Sequence, residues 1–325
     1  MATIKPFRGV RYNPEHIADF FTVISQPHDK VQGLQEQYYN LSPYNVIRLI
    51  KGLEQPGDDE HHNVYTRARD TYRAWLQEGI LIREQAPALY VLRQTFRLPE
   101  GSSRTRQALI AALELAHFDE GVILPHEHTL RDSMVDRLNL LRTTEMNFSS
   151  VFVLYPGNRI NELLAPATAQ PPLFEAHELL EHEVTQQFWA GTDPQVIAAI
   201  VEEMAPKRNR VIADGHHRYE TSLAYRDEMR ARHPNAPPNA GFNYRSVALV
   251  SMDDPGLVIL PTHRLIHSPN SMRGAAVLER AREFFDVTPV PDRATLERAV
   301  QAARGTPRTC FGFHDGTQDV LTFRD

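Results

Sequence analysis

Residues 211–218 read Val-Ile-Ala-Asp-Gly-His-His-Arg, and a segment of helical character, 219–225, follows directly. The apolar run 211–213 predicts a short buried strand, and Gly215 then leads into a helix. At such a junction the first backbone N–H groups of the helix have no partner within the helix and favour an anion. The stretch therefore predicts a strand-to-helix junction that binds phosphate or a metal ion.

The side chains of this stretch fit the same chemistry. Gly215 lets the backbone approach a ligand closely, and Arg218 can hold phosphate oxygens in a bidentate fork. His216 and His217 add donors that titrate near neutral pH, and Asp214 can bind a metal or orient a hydroxyl group. The alternative is a polar helix cap on the surface, with Asp214 as the N-cap residue.

Composition excludes several classes of protein. The chain has 325 residues, of which 42% are hydrophobic, enough for a sizeable core and for either two domains or one large domain with insertions. A single cysteine, Cys310, excludes an intramolecular disulfide framework. A net charge of −6 without a long basic run argues against nucleic-acid binding. We find no membrane-span pattern and no signal peptide, so we expect a cytoplasmic protein with no membrane partner.

A second polar motif follows the apolar run 122–124 and precedes a charged helix, on which Asp132, Asp136, Arg137 and Arg142 are expected mostly to face solvent. Glu127 in this motif is a candidate general base, and His126 and His128 can orient it or contact phosphate. Since both motifs lie between a strand and a helix, we expect them to face one cleft. The alternative is a capped helix start, with Thr129 as N-cap and Asp132 completing a capping box.

Two weaker groups supply substrate-pocket candidates. Asp29 follows Pro27-His28, and Asn45 and Arg48 flank an apolar run predicted as a strand. These residues fit a pocket and a turn equally well. His263 and Arg264 come after a predicted strand and can touch a carboxylate or lie on the surface.

Elsewhere the pattern predicts a mixed α+β chain whose strands are too irregularly spaced for a plain dinucleotide-binding fold. We find no Gly-x-Gly-x-x-Gly and no Walker A sequence. Helices are predicted to start at Asn13 and to cover 59–78, 276–285 and 294–304, with one more beginning at Asp193-Pro194. Strands are predicted at 23–25, 46–50, 89–98, 107–115, 151–154, 247–251 and 257–260. By propensity alone, the segment 107–115 also fits a helix.

A histidine-rich metal hydrolase is a further alternative. Its ligands would come from His126, His128, Asp214, His216 and His217. These residues lack the helical His-Glu-x-x-His spacing of many zinc enzymes, and no additional cluster completes a ligand set.

Several separated motifs in the same order resemble a family known as domain of unknown function 1015. The resembling stretches are Pro27-His28-Asp29, 45–49, His126-Glu127 with Thr129, Asp136-Arg137-Leu138, 214–221 and 260–264. A more distant similarity connects the chain to free-serine kinases of the ParB/sulfiredoxin superfamily. Those enzymes share a Pro-His-Glu motif followed later by Asp-Gly-His-His-Arg.

The kinase resemblance implies roles at matching positions. Glu127 becomes the base that activates the hydroxyl group, and Asp214 orients a hydroxyl or a Mg²⁺ ion. His217 and Arg218 become the phosphate clamps. Gly215, His216 and His126 complete the phosphate and nucleotide contacts predicted from the two motifs themselves. ATP or ADP is then the donor and a small molecule the acceptor. Sulfiredoxin activity is not expected, because His216 stands where that activity needs a cysteine.

The resemblance also implies a fold and a domain division. We expect a mixed sheet core of ParB/sulfiredoxin-like type with an N-terminal α/β elaboration. The expected parts are a packed N-terminal segment 1–88, a catalytic core 89–266 and a C-terminal α/β segment 267–325. Two departures stand out: family members commonly have Tyr at the position of His28, and they continue past Asp325 with a Lys-Ser-Thr segment, so we expect 267–325 to be incomplete.

Overall fold

The computed structural model describes residues 3–31, 33–98, 100–127, 131–177, 184–260, 263–265, 274–303 and 306–324. For residues 131–133 it describes the backbone alone. His128, Thr129, Pro261 and Thr262 lie outside the described residues, as does the side chain of Asp132. The chain divides into two compact units, Met1–Ile259 and Leu260–Asp325.

The first unit is built on a mixed sheet of nine strands within the described residues. Its strands are β1 (Ile4–Lys5), β4 (Leu89–Arg97), β5 (Ser103–Glu114), β6 (Ile123–Leu124), β7 (Val151–Tyr155), β8 (Phe174–His177), β9 (Val184–Gly191), β10 (Arg210–Asp214) and β11 (Tyr244–Ser251). The order across the sheet is β6-β10-β7-β11-β5-β4-β9-β8, and β1 pairs with β5. The pairs β6–β10 and β7–β11 are parallel, and the others are antiparallel. A separate two-stranded sheet joins β2 (Val10–Tyr12) to β3 (Leu81–Arg83).

Seven α-helices of this unit fall within the described residues: α1 (Gln35–Leu41), α2 (Ile47–Ile50), α3 (Val64–Gln77), α4 (Arg131–Thr144), α5 (Arg159–Thr168), α6 (Pro194–Met204) and α7 (His216–Arg232). Helix α7 lies against β7 and β11, α4 packs on α7, and α3 packs on α4. The main core contains Ile123, Val153, Ile212, Tyr219 and Val247, all at most 1% exposed. The sheet and α7 therefore share one core, which holds the 211–219 stretch rigidly.

Local sequence signals explain several helix starts. Asn63 Oδ1 accepts hydrogen bonds from the N–H groups of Tyr65 and Thr66, and the Thr66 hydroxyl oxygen accepts one from the N–H of Asn63, so α3 begins with a complete capping box. Asp193 caps α6, and Pro194 takes the first helical position. The predicted helices at 59–78 and after Asp193 are thus observed, the former with a later start.

Three N-terminal predictions are wrong. Asn13 accepts a hydrogen bond from the N–H of Glu15, but only a turn forms and no helix follows. The segment 23–25 is not a strand. The side-chain amide of Asn45 donates to the carbonyls of Thr22 and Ile24, and the N–H of Val46 donates to the carbonyl of Val23. The predicted strand 46–50 is helix α2, since Asn45 Oδ1 accepts from the N–H of Ile47 and starts a helical turn. A local side-chain bond outweighs the β-propensity of these apolar residues.

Two further corrections concern later segments. Residues 257–260 form no strand, because the N–H of Leu257 closes a turn onto the Asp254 carbonyl. On α4, Arg137 was expected to point to solvent, yet its side chain is only 10% exposed. Its guanidinium bonds to Asp136 and to the carbonyl of Ile50, which draws it inward.

The second unit contains α8 (Gly274–Ala281), β12 (Phe285–Val290), α9 (Arg293–Ala303), β13 (Cys310–His314) and β14 (Gln318–Phe323). The strands form an antiparallel sheet in the order β12-β14-β13, and α9 packs on it. The two amphipathic helices predicted here are observed with slightly earlier bounds. In the described part of the whole chain, none of the helices is both long and apolar enough to cross a bilayer.

Candidate functional site

The two polar motifs meet at one edge of the large sheet. Strands β6 and β10 are parallel neighbours, with Arg210 opposite Ile123 and Val211 opposite Leu124. Because the carboxyl ends of parallel neighbours lie side by side, the residues after Leu124 and after Asp214 come together. The N–H of His126 accordingly donates to Nε2 of His216 over 3.2 Å. The shared location expected from sequence is what the structure has.

Helix α7 begins without a side-chain cap. Its N-cap residue is Gly215, at φ 95° and ψ 32°, which has no side chain to accept a hydrogen bond from the first turn. The alternative in which Asp214 caps the helix is therefore wrong, since Asp214 pairs with Arg218 instead. Uncapped N–H groups and the positive end of the helix dipole make this terminus suitable for an anion.

His216 is the buried centre of the site, and its hydrogen bonding determines its tautomer. Its side chain has no exposed surface. Nε2 accepts the N–H of His126, so in the neutral ring the proton lies on Nδ1. Burial lowers the pKa of His216, with the nearby Glu127 carboxylate opposing the shift. The neutral Nδ1–H form therefore faces Glu127.

Glu127 is held at the mouth of the site. Its Oε1 lies 3.0 Å from Nδ1 of His216, and its side chain is 53% exposed. The distance suits a hydrogen bond but the angle does not, so Nδ1 has no well-aligned partner among the described residues. An exposed carboxylate beside a buried N–H donor can receive a proton from a bound hydroxyl group.

His126 completes this group. Its Nδ1–H donates to the Ile212 carbonyl over 2.5 Å, which leaves the lone pair on Nε2. The His126 and His216 rings meet edge to face, with centroids 4.5 Å apart. Both histidines are thus oriented by backbone groups of the neighbouring strand end.

One cluster has the composition of a metal site. His126, Glu127 and His216 each offer a ligand atom, and these atoms lie within 4.8 Å of one another. Coordination through Nδ1 of His216 would require a proton on Nε2, which already faces the His126 N–H. The hydrogen bonding therefore favours a Glu–His pair over a transition-metal centre at these residues.

Arg218 and Asp214 form a pair across the first turn of α7. Arg218 Nη2 donates to Asp214 Oδ2, and Nη1 donates to the Ser150 carbonyl over 2.6 Å. The Arg218 side chain is 10% exposed, whereas that of Asp214 is 57% exposed. Arg218 thus fixes Asp214 at the rim, and the exposed carboxylate has the oxygen chemistry that Mg²⁺ prefers. Asp214 Oδ1, which Arg218 does not use, is the oxygen that Asp214 can offer to a cation.

The other sequence candidates have different surroundings. Asn45 is fully buried, and its side chain is bonded to three backbone groups, so it stabilises the N-terminal loop. Arg48 donates to the Tyr39 carbonyl and stacks over the Tyr39 ring at 4.0 Å. Asp29 is exposed. His263 and Arg264 are exposed residues of the second unit, and their role stays a prediction.

Sequence reasoning missed two arginines near the site, Arg137 and Arg245. The family resemblance included Arg137 without a role. On β11, Arg245 lies on the same face of the strand as the buried Val247 and Leu249, because alternate residues of a strand face the same side. This spacing in the sequence could have identified Arg245 as a buried arginine. Arg137 lies close enough to help lower the pKa of His28 and that of Arg245.

Two surface concavities lie elsewhere. One, of about 620 Å³, is lined by α9 side chains. The other, of about 560 Å³, is lined by residues at the β4–β5 turn together with His177 and Thr185. None of the candidate site residues lines either of them.

Gly215 is expected to resist substitution. A Cβ at this position would lie 2.8 Å from the Arg218 guanidinium, at a positive φ that L-residues rarely adopt. We expect Gly215→Ala to lower the free energy of unfolding by about 2 kcal/mol through strain and displacement of Arg218. Gly57→Ala is the matched control, since Gly57 has φ +91° and open space around it. Equal losses in urea unfolding of both variants would contradict the role of the Arg218 contact.

His28 predicts an acid-sensitive fold. Burial, together with the charges of Arg137 and Arg218, lowers the pKa of His28 to about 4 from its usual 6.5. The unfolded chain therefore binds the proton first, and stability is lost as the pH falls from about 6.5 towards 4. Between pH 7 and pH 4 the free energy of unfolding should fall in both proteins. With allowance for the partial exposure of His28, we expect the fall in His28→Gln to be about 1 to 2 kcal/mol smaller than in the wild type. Urea unfolding at several pH values measures the difference. His62→Gln is the control, because His62 is exposed, and its stability should depend on pH as that of the wild type does. An equally steep fall of the free energy of unfolding with pH in His28→Gln and in the wild type would contradict the role of His28.

Comparison with known proteins places the chain in a family. Searches of curated proteins and of solved structures find no significant match. A family model matches residues 4–323, nearly the whole sequence. The chain therefore belongs to the family described as "Protein of unknown function (DUF1015)".

Proposed function

We propose that this chain is a magnesium- and nucleotide-dependent kinase that phosphorylates a small hydroxyl compound, with free L-serine as the best candidate. The observation that carries the proposal is the exposed Glu127 carboxylate beside the buried neutral His216, at the uncapped start of α7. A base, an anion-binding helix end and a rim carboxylate are the parts that phosphoryl transfer requires.

In the proposed reaction Glu127 accepts the proton of the acceptor hydroxyl. The acceptor oxygen then bonds to the terminal phosphorus while the bond from that phosphorus to the nucleotide oxygen breaks. The nucleotide leaves with the electron pair of that bond. His216 presents its Nδ1–H to the Glu127 carboxylate, 3.0 Å from Oε1.

The phosphates of the nucleotide are proposed to lie at the first turn of α7. Gly215 has no side chain to obstruct them or to cap the first N–H groups of the helix. The guanidinium of Arg218 already donates to Asp214 and to the Ser150 carbonyl. It therefore attracts the phosphates by its positive charge rather than by a bidentate contact. When bound at Asp214, Mg²⁺ would supply charge neutralisation to the transferred phosphoryl group.

We further propose that the first unit contains a ParB/sulfiredoxin-like core and that the protein acts in the cytoplasm. The support for the core is the mixed sheet with its strand–glycine–helix junction at Asp214-Gly215. The cytoplasmic location rests on the enzyme's proposed small-molecule substrates.

A metal-dependent hydrolase is the second candidate function. The grouping of His126, Glu127 and His216 within 4.8 Å favours it, and the tautomer of His216 opposes it. It predicts tightly bound zinc, iron or manganese in the purified protein, which a metal assay measures directly.

The test is phosphoryl transfer from ATP, and separately from ADP, to L-serine in the presence of Mg²⁺. O-phosphoserine is followed by mass spectrometry, with Glu127→Gln as the control. We expect product that depends on Glu127. Nucleotide binding without product would replace the kinase by a nucleotide-binding regulatory module, and the absence of both would overturn the proposal.

A further inference from the structure

Arg245 is a buried cation whose charge has no carboxylate partner among the described ion pairs. The residue is 5% exposed. Its guanidinium donates to Asn147 Oδ1, to the Ser149 carbonyl over 2.5 Å and to Ser222 Oγ over 3.4 Å, all neutral groups. Nε has no partner in the described part of the chain. Burying a charge without a counter-ion is costly, so such a residue needs an explanation.

The surroundings of Arg245 add further positive charge. Arg245 donates to the Ser149 carbonyl and Arg218 to the next one, that of Ser150, and the two guanidiniums lie within electrostatic range of each other. Ser222 connects them again, since its hydroxyl donates to the Arg218 carbonyl. Arg137 lies within electrostatic range of Arg245, and together with Arg218 and burial it lowers the pKa of Arg245 to about 9. Arg245 therefore remains charged at neutral pH.

The acidic groups nearby do not offset Arg245. Asp214 pairs with Arg218, and Asp136 pairs with Arg137 over 2.5 Å. Asp29 is exposed to solvent, where its charge is screened. His28, half-buried within range of Arg137 and Arg218, is neutral at physiological pH. The positive charge of Arg245 is therefore not compensated by these groups.

We propose that the region bounded by His28, Arg137 and Arg218 binds the anionic group of the acceptor, a carboxylate or a phosphate ester, and that this group compensates Arg245. The inference rests on the proposed kinase function and narrows its acceptor to a small hydroxyl compound that carries a negative charge. The anionic group of the acceptor lies in this region, and the nucleotide phosphates lie at the start of α7. A neutral alcohol has no carboxylate or phosphate group to compensate the charge of Arg245, so we expect it to be a poor acceptor.

The experiment is calorimetric titration of the full chain with glycolate and with inorganic phosphate, each with and without saturating ADP. We expect one of these anions to bind when ADP is present, and at least tenfold more weakly in Arg245→Met. Arg245→Lys, which keeps the charge, should retain affinity within a few-fold. Circular dichroism and thermal unfolding of both variants confirm that they are folded.

Arg210→Met is the matched control. Arg210 is also a buried arginine with an unpartnered Nε, at the opposite end of β10 from Asp214. Its replacement should leave anion affinity unchanged. Binding of neither anion, equal binding in Arg245→Met, or equal loss in Arg210→Met would overturn the inference.

Competition with ADP identifies the source of the anionic group. Complete displacement of the anion by ADP would assign the subsite to the nucleotide and overturn its role for the acceptor. The titration involves no turnover, so its outcome is separate from that of the phosphoryl-transfer assay. Anion binding in a protein without kinase activity would refute the proposed function and leave the subsite itself in place.

Discussion

Glu127→Gln is expected to lower phosphoryl transfer by about a hundredfold to ten-thousandfold, the usual contribution of a general base. The amide keeps the shape of the carboxylate but cannot accept the hydroxyl proton. The side chain is 53% exposed and contacts the core through His216, so the fold should be unaffected. Initial rates of O-phosphoserine formation measure the effect.

Nucleotide affinity should stay within a few-fold in the same variant. The proposed phosphate contacts come from the start of α7, which Glu127 does not build. Glu162→Gln is the matched control, because Glu162 is a similarly exposed glutamate, 60% exposed, and lies on α5. Unchanged transfer in Glu127→Gln, or a loss of nucleotide binding as large as the loss of rate, would contradict its role as base.

Asn45→Asp is expected to lower the free energy of unfolding by about 4 kcal/mol, because it leaves buried acceptors facing one another. Asn45 Nδ2 donates to the Thr22 carbonyl over 2.8 Å and to the Ile24 carbonyl over 2.9 Å. A carboxylate at this position has no proton for either carbonyl, and Asn45 is 0% exposed, so water cannot replace the bonds. Urea unfolding of the full chain measures the change.

Asn13→Asp is the control for this prediction. Asn13 uses only its side-chain oxygen, to accept the N–H of Glu15 over 3.1 Å, and aspartate preserves that bond. Its stability should be close to that of the wild type. A loss below about 1 kcal/mol in Asn45→Asp, the usual net value of one hydrogen bond, would show that the Asn45 bonds are not needed by the loop.

The local signals in the sequence were sufficient where the structure is local. The strand 211–213 followed by Gly215 and a helix is observed, as are the starts of α6 at Asp193-Pro194 and the strands within 89–98 and 107–115. Apolar periodicity and capping residues act over a few positions, so one sequence is enough to recognise them. The same signals placed Glu127 and Asp214 at the ends of strands.

The tertiary structure decided what depends on distant partners. Asn45 bonds to the loop at 22–24 and thereby turns two predicted strands into a loop and a short helix. The environment of Arg245 is formed by the Asn147 side chain, the Ser149 carbonyl and Ser222 of α7, which no local pattern reveals. Burial, tautomer and ion pairing depend on groups far apart in the chain, because each is set by what the fold brings within a few ångströms. The sequence determined which side chains are available for chemistry, and the packing of β6, β10 and α7 determined which of them meet.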